Sequence, residues 1–215
     1  MKRYNCILFD LDGTLVNTFA GIMQSYQYAA EKMKLQLPTE EFVNEVIGAP
    51  LAQVFAEKYD LDEHGVREAV TYYREEYARG GVLNGELYPG IKELLQYLSD
   101  NGYKLGVTTL KNEKFAIQVL KNLGIEQYMD VILGMDGDDK LTKSMLISKA
   151  LNCLKMCETE TVLVGDSFYD AEGAQEVGID FIGVTYGFGF KDAEGVLQYK
   201  DTKVAKIPLE IKELV

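Results

Sequence analysis

Cys6-Ile7-Leu8-Phe9-Asp10-Leu11-Asp12-Gly13-Thr14-Leu15 is the stretch whose reading decides the fold. Its apolar run reads as a buried strand, and the run stops at two carboxylates placed two residues apart. Free charge is not tolerated inside a sheet, so the acids belong just beyond the strand's carboxyl end, where open α/β sheets bind ligands. With Leu11 turned back toward the core, Asp10 and Asp12 flank one small volume and Gly13 supplies the tight backbone curve. One carboxylate can then attack while the other handles protons. The same residues also suit a plain polar turn, since Asp-Gly pairs are common in turns.

Further along, Val164-Gly165-Asp166-Ser167-Phe168-Tyr169-Asp170 repeats the pattern of a buried strand ending in acids, here four apart. Asp166 is placed to join Asp10 around a hard cation, and Mg²⁺ prefers carboxylate oxygens of this kind. Asp170 can bind a metal water or orient a lysine, or else cap the next helix. Between these acidic turns, strands are expected at 104–109, 129–133 and 161–165, with a last one at 181–185. Helical patterns at 91–98, 113–123, 143–154 and 170–177 alternate with them. Such alternation predicts a parallel sheet with right-handed crossovers. The third strand is expected to run into an acidic loop, Met135-Asp136-Gly137-Asp138-Asp139.

One stretch interrupts this alternation. From 16 to 87 the pattern is helical and contains no convincing strand, and its roughly 70 residues are enough for a small bundle. Asn17 or Thr18 can cap a first helix carrying Phe19, Ile22, Met23, Tyr26, Ala29, Ala30 and Met33 on its apolar face. Thr39 caps a second, Gly48-Ala49-Pro50 breaks it, and two more follow at 51–58 and 63–79. The expected division is an α/β core made of 1–15 and 88–215, with 16–87 inserted as a helical domain.

Composition narrows the function. The chain has 215 residues, 47% hydrophobic and 26% charged, as in a water-soluble globular protein. Lys and Arg number 22 against 34 Asp and Glu, a formal charge of −12 that argues against nonspecific nucleic-acid binding. An anionic substrate then needs locally placed cations. Three cysteines cannot all pair within the chain, and Cys6 falls in the predicted central strand, which suggests a reducing compartment. Cys153 and Cys157 share helical spacing, but no second ligand pair follows and His64 is the only histidine, so they read as plain thiols. With no signal-peptide core and no membrane-length apolar run, a cytoplasmic protein is expected.

Phe9-Asp10-Leu11-Asp12-Gly13-Thr14-Leu15 resembles the DxDGT motif of the haloacid dehalogenase-like phosphohydrolases. Gly165, Asp166 and Asp170 match that family's GDxxxD motif, and the chain looks most similar to the phosphoglycolate phosphatase-like branch. The resemblance implies a Rossmann-like core with a helical cap over the active site. It also implies Mg²⁺ held by Asp10, Asp12 and Asp166, with Asp10 as nucleophile and Asp12 as proton carrier. The family's hydroxyl residue corresponds to Thr109, with Thr108 as the alternative, and Thr109 sets Lys111 and Phe115 in the usual register. Its lysine corresponds to Lys143, with Lys140 as the alternative. A lysine at a helix start runs against the macrodipole, a mild sign of another duty. Gly48-Ala49-Pro50-Leu51 and Arg74 resemble cap positions that face substrate, or else form a helix-breaking turn and a solvated arginine. Tyr186-Gly187-Phe188-Gly189-Phe190 is expected to be a flexible loop covering the core, or else to line the rim of the site.

The activity implied is Mg²⁺-dependent hydrolysis of a small phosphorylated metabolite, by a monomer or homodimer that binds neither membrane nor nucleic acid. A phosphomutase of the β-phosphoglucomutase kind, a pyrophosphatase or a nucleotidase would share the core residues. A haloacid dehalogenase needs no second acid, so Asp12 speaks against it. A receiver-type binding module would leave the helical insertion unexplained.

Overall fold

The computed structural model describes residues 3–136 and 140–215. Gly137, Asp138 and Asp139 of the expected acidic loop lie outside the described residues. The first strand, β1 (Cys6–Phe9), is fully buried along its length. It is followed by β2 (Val16–Asn17) and then α1 (Phe19–Met33), α2 (Glu40–Val46), α3 (Leu51–Tyr59) and α4 (Glu63–Arg79). The chain returns through β3 (Glu86–Leu87), α5 (Ile91–Asp100), β4 (Lys104–Asn112), α6 (Glu113–Asn122) and β5 (Val131–Met135). It continues with α7 (Lys143–Leu154), β6 (Thr161–Gly165), α8 (Phe168–Val177) and β7 (Asp180–Val184), and ends with α9 (Ala193–Leu197), β8 (Thr202–Ala205) and α10 (Ile211–Leu214).

Six strands form one parallel sheet in the order β5-β4-β1-β6-β7-β8. β1 and β6, the two strands that lead into the acidic turns, are therefore neighbours in the middle of the sheet. The order reverses direction at β1, which is the switch point where a parallel sheet opens a crevice at its carboxyl edge. Alternate β1 side chains serve two layers. Ile7 and Phe9 pack with Leu94 and Leu95 of α5 and Val119 of α6, whereas Cys6 and Leu8 join Ile147 and Ala150 of α7 and Ala171 of α8. Burial on both faces is why this strand reads as an unbroken apolar run instead of alternating.

One expectation about the inserted stretch changes. Its ends are strands after all: Val16 pairs with Leu87 and Asn17 with Glu86 in an antiparallel ribbon. Two residues per strand are too few for any periodicity to register. At the start of α1, Asn17 Oδ1 accepts from Phe19 N at 3.2 Å, while the Thr18 hydroxyl makes no cap bond and turns to Asp12 instead. Thr39 caps α2 as expected, accepting from Phe42 N at 3.1 Å. Within the stretch, Tyr26 of α1 packs against Phe42, Phe55 and Tyr73 from the other three helices, giving the helices an aromatic centre.

The core strands shift slightly from their expected positions. β5 begins two residues later than 129, β4 runs three residues beyond 109, and the edge strand β8 was not expected at all. β8 carries lysine and threonine with three of its four residues half-buried, and an exposed edge leaves little apolar signal to read.

Candidate active site

The turn after β1 explains how two acids come to share one cleft. Asp10 continues the ladder, donating its backbone N–H to Val164 O at 2.9 Å, and the chain then closes tightly around Leu11, whose carbonyl accepts from Leu15 N and Val16 N at 3.0 Å. Leu11 itself is fully buried, so it pins the turn to the core. Gly13 sits at φ 84, and a Cβ there would lie 2.2 Å from Asp166 Oδ2. Glycine is needed at this position both for the left-handed backbone and for the approach of the second acidic turn.

Lys143, the first residue of α7, reaches across to these turns. Its Nζ lies 2.6 Å from Asp10 Oδ1 and 2.5 Å from Asp170 Oδ1, and all three residues are buried. Burial alone would favour the uncharged amine, but Asp10 and then Asp170 outweigh it and hold the lysine above its usual pKa. Lys140, the alternative, is exposed at the surface. Asp170 also closes a capping box at the start of α8, where its Oδ2 accepts from Ser167 N at 3.1 Å and meets Ser167 Oγ at 2.6 Å. Two of the three alternative duties read for Asp170, helix cap and lysine partner, thus fall to its two separate oxygens.

Among the described residues, Asp10, Asp166 and Asp170 form a group able to hold a cation, with carboxylate oxygens within 4.8 Å of one another and all three residues buried. The expected trio had Asp12 in place of Asp170. The Asp12 carboxylate is committed elsewhere: Thr18 Oγ1 donates to its Oδ1 at 2.7 Å, and Lys111 Nζ lies 3.0 Å from both of its oxygens. With Leu11 buried between them, Asp10 and Asp12 direct their carboxylates to different partners within the same cleft.

The acidic group carries more negative charge than Lys143 cancels. Burial, opposed by Lys143 but reinforced by Asp170 and Asp166, pushes Asp10 well above the usual carboxylate range. Burial and then Asp170 push Asp166 up to about 7, against the pull of two backbone N–H groups. Three hard oxygen donors with unmatched charge are a suitable donor set for a small divalent cation such as Mg²⁺.

Those two N–H groups belong to the glycine-aromatic segment 186–190, whose sequence suggested a place at the site rim but not its hold on Asp166. Phe188 N and Gly189 N donate to Asp166 Oδ2 at 2.8 and 3.1 Å, and Phe190 N donates to the Asp166 carbonyl at 2.7 Å. Tyr186 Oη donates to the Thr14 carbonyl at 3.0 Å, tying the same loop to the first turn. The loop, read from the sequence as a flexible cover or a lining of the site rim, clasps Asp166 of the acidic group. Its alternation of glycine and aromatic residues was the available signal, since a backbone that must approach a carboxylate closely leaves no room for Cβ atoms.

A cleft between the sheet edge and the inserted helices collects the remaining candidates. Asp10, Asp12, Thr109 and Lys111 line it from the core, and Arg74 of α4 lines it together with the 48–51 turn from the opposite side. Thr109 is buried there with its hydroxyl oxygen accepting from Lys111 N at 3.2 Å, and Thr108 is not part of the lining.

The whole of this architecture has relatives. The family model for haloacid dehalogenase-like hydrolases matches residues 7–184, and the chain belongs to that family. It is 36% identical over 191 residues to a 5'-nucleotidase of Pseudomonas aeruginosa, covering 88% of this chain and 86% of that one. A phosphoglycolate phosphatase of Yersinia pestis is 32% identical over 208 residues, 89% of this chain and 85% of that one. A crystal structure of a predicted phosphatase from Clostridium acetobutylicum superposes with a TM-score of 0.91 at 35% identity, covering 98% of each chain. Among the described residues, no helix is long and apolar enough to cross a membrane.

Proposed function

We propose that this enzyme is a Mg²⁺-dependent phosphatase that hydrolyses small-molecule phosphate monoesters through a phosphoryl group carried on Asp10. The observation that carries the reading is the division of labour in one cleft: Asp10 belongs to the acidic group with Lys143, while Asp12 stands apart on Lys111 and Thr18. Asp10 attacks phosphorus and the ester P–O bond breaks, with Asp12, protonated on entering this step, delivering its proton to the departing oxygen and becoming the carboxylate that pairs with Lys111. Asp12 then takes a proton from water as that water attacks the phosphoryl group, releasing inorganic phosphate and restoring Asp10. Lys143 offsets charge between the attacking carboxylate and the phosphoryl oxygens, and the Thr109 hydroxyl can donate to one of those oxygens. Asp10, Asp166 and Asp170 would hold Mg²⁺, which when bound supplies positive charge at the phosphoryl group.

Residues 16–87 serve in this reading as a cap whose inner face meets the alcohol part of the substrate, with Arg74 and the 48–51 turn contributing. The relatives named above act on different esters by their names, so a phosphoglycolate-like ester and a nucleoside monophosphate both belong in the test. The experiment is a phosphate-release assay over such a panel with Mg²⁺ or a chelator, run in parallel on Asp10→Asn. Release that requires the metal and vanishes in the variant is expected, with one phosphoryl group found on the acid-quenched wild-type protein by mass spectrometry. Unchanged turnover in Asp10→Asn would overturn the nucleophile assignment.

A further inference from the structure

The Lys111 side chain is only 8% exposed, and it is the side chain on which Asp12 leans. Its Nζ is equidistant, at 3.0 Å, from the two oxygens of Asp12, and it stands 4.6 Å from the centre of the Tyr77 ring. Tyr77 is almost fully buried on α4, stacked on Tyr73 with ring centres 6.0 Å apart and planes 6° apart, and it meets Phe115 edge-on at 5.2 Å. The fourth member, Thr18, bonds the Asp12 carboxylate from the first residue before α1. The carboxylate at the end of β1 is thus gripped from β4 by an ammonium that is itself enclosed by an aromatic face of α4, and from the start of α1 by a hydroxyl.

We propose that Lys111, held by Tyr77, is the positioning residue for Asp12, fixing that carboxyl where it meets the leaving oxygen once the inserted helices are packed on the core. The inference rests on the phosphatase reading above, in which Asp12 carries the proton. An ammonium contacting both oxygens equally removes the carboxylate's freedom to rotate about its last bond, and the ring stack stops the lysine from following substrate into the cleft. Solvating this cation with an aromatic face rather than a second carboxylate leaves Asp12 as its only ion-pair partner of those described. The arrangement spans both parts of the chain, so the proton carrier is aimed only when α1 and α4 stand in place.

Positioning of a proton donor is separable from folding and from substrate binding through the leaving group. An alkyl phosphate needs its departing oxygen protonated, whereas p-nitrophenyl phosphate leaves readily without help. The comparison is therefore kcat/KM for glycerol phosphate and for p-nitrophenyl phosphate, each measured with wild type, Lys111→Met and Thr18→Val, with thermal unfolding recorded for all three. We expect Lys111→Met to lose about 100-fold on glycerol phosphate and less than about fivefold on p-nitrophenyl phosphate, within the span of general acid catalysis. Thr18→Val, which leaves the buried ion pair intact and removes the other bond to the same carboxylate, should show a smaller loss with the same selectivity. Equal losses on both esters, or a rise in KM alone, would overturn the proposal and leave the phosphatase reading standing. If Lys111→Met fails to fold, the Thr18→Val comparison decides by the same criterion. No release from either ester by the wild type would defeat the phosphatase reading and this inference together.

Discussion

Gly187 faces Asp166 so closely that a Cβ on the glycine would sit 2.5 Å from both the Cβ and the Oδ2 of the aspartate. The same atom would lie 2.3 Å from the Gly13 carbonyl, so the clash involves backbone that cannot step aside. Gly187→Ala should therefore push the clasp off Asp166 and weaken the N–H bonds from Phe188 and Gly189. Overpacking of this kind costs about 1–3 kcal/mol. The expected result is a lowered melting temperature together with a higher Mg²⁺ requirement for phosphate release; an unchanged metal requirement would show that the clasp does not shape the cation site.

Lys143 is the counter-ion for two buried carboxylates at once. Lys143→Met would leave Asp10 and Asp170 facing each other uncompensated, and removing one partner of a buried pair costs about 3–5 kcal/mol. Urea unfolding in chelator should reveal this loss. Added Mg²⁺ should recover part of it, because a cation bound only to the folded chain stabilises by mass action. A variant as stable as its parent in chelator would mean that Lys143 does not balance these acids.

The raised pKa of Asp166 carries a sign. In the folded, metal-free chain burial and Asp170 push it from its ordinary 3.8 up to about 7. The native state therefore binds a proton that the unfolded state has released, and the stability this proton contributes is fully present below 3.8 and is lost as pH rises through about 7. Asp10 shifts in the same direction. Metal binding needs the ionised carboxylates, so the gain in melting temperature from Mg²⁺ over chelator should be small near pH ~5 and should widen toward pH ~8. A gain that stayed flat across this range would count against the acidic group as the cation site.

Thr39 offers a test that separates the stability of the inserted helices from chemistry. Its hydroxyl oxygen accepts from Phe42 N at the start of α2 and touches none of the acidic residues. Thr39→Ala should cost about 1 kcal/mol, as loss of an N-cap does. Scanning calorimetry should record the shift, with kcat for p-nitrophenyl phosphate unchanged at a temperature where the chain remains folded. A large fall in kcat under those conditions would mean that the entry angle of α2 governs the cleft.

Two acids after an apolar run, repeated at Asp166, sufficed to place β1 and β6 at the ligand-binding edge of a parallel sheet, because burial on two faces leaves a continuous hydrophobic signature. The helices of the inserted stretch were equally legible from the spacing of Phe19, Ile22, Tyr26 and their counterparts. The partnership of Asp10 with Lys143, 133 residues apart, could be anticipated only through the family motifs. Spacing along the chain carries no information about which distant side chain will face which.

What tertiary structure alone decided was the allocation of partners. Asp10, Asp12 and Asp170 are all aspartates near strand ends, yet Asp170 joins the acidic group while Asp12 turns to Lys111 and Thr18. That outcome depends on which neighbouring element presents a cation and how tightly Leu11 fastens the turn to the core. For the clasp at 186–190 the glycine-aromatic alternation marked the segment but not its partner, since its hold on Asp166 is made by backbone N–H groups, which every residue but proline possesses. The chain's own letters set where charge must gather; three-dimensional packing set which charge answers which, because electrostatic pairing is a matter of distance through space and not along the polymer.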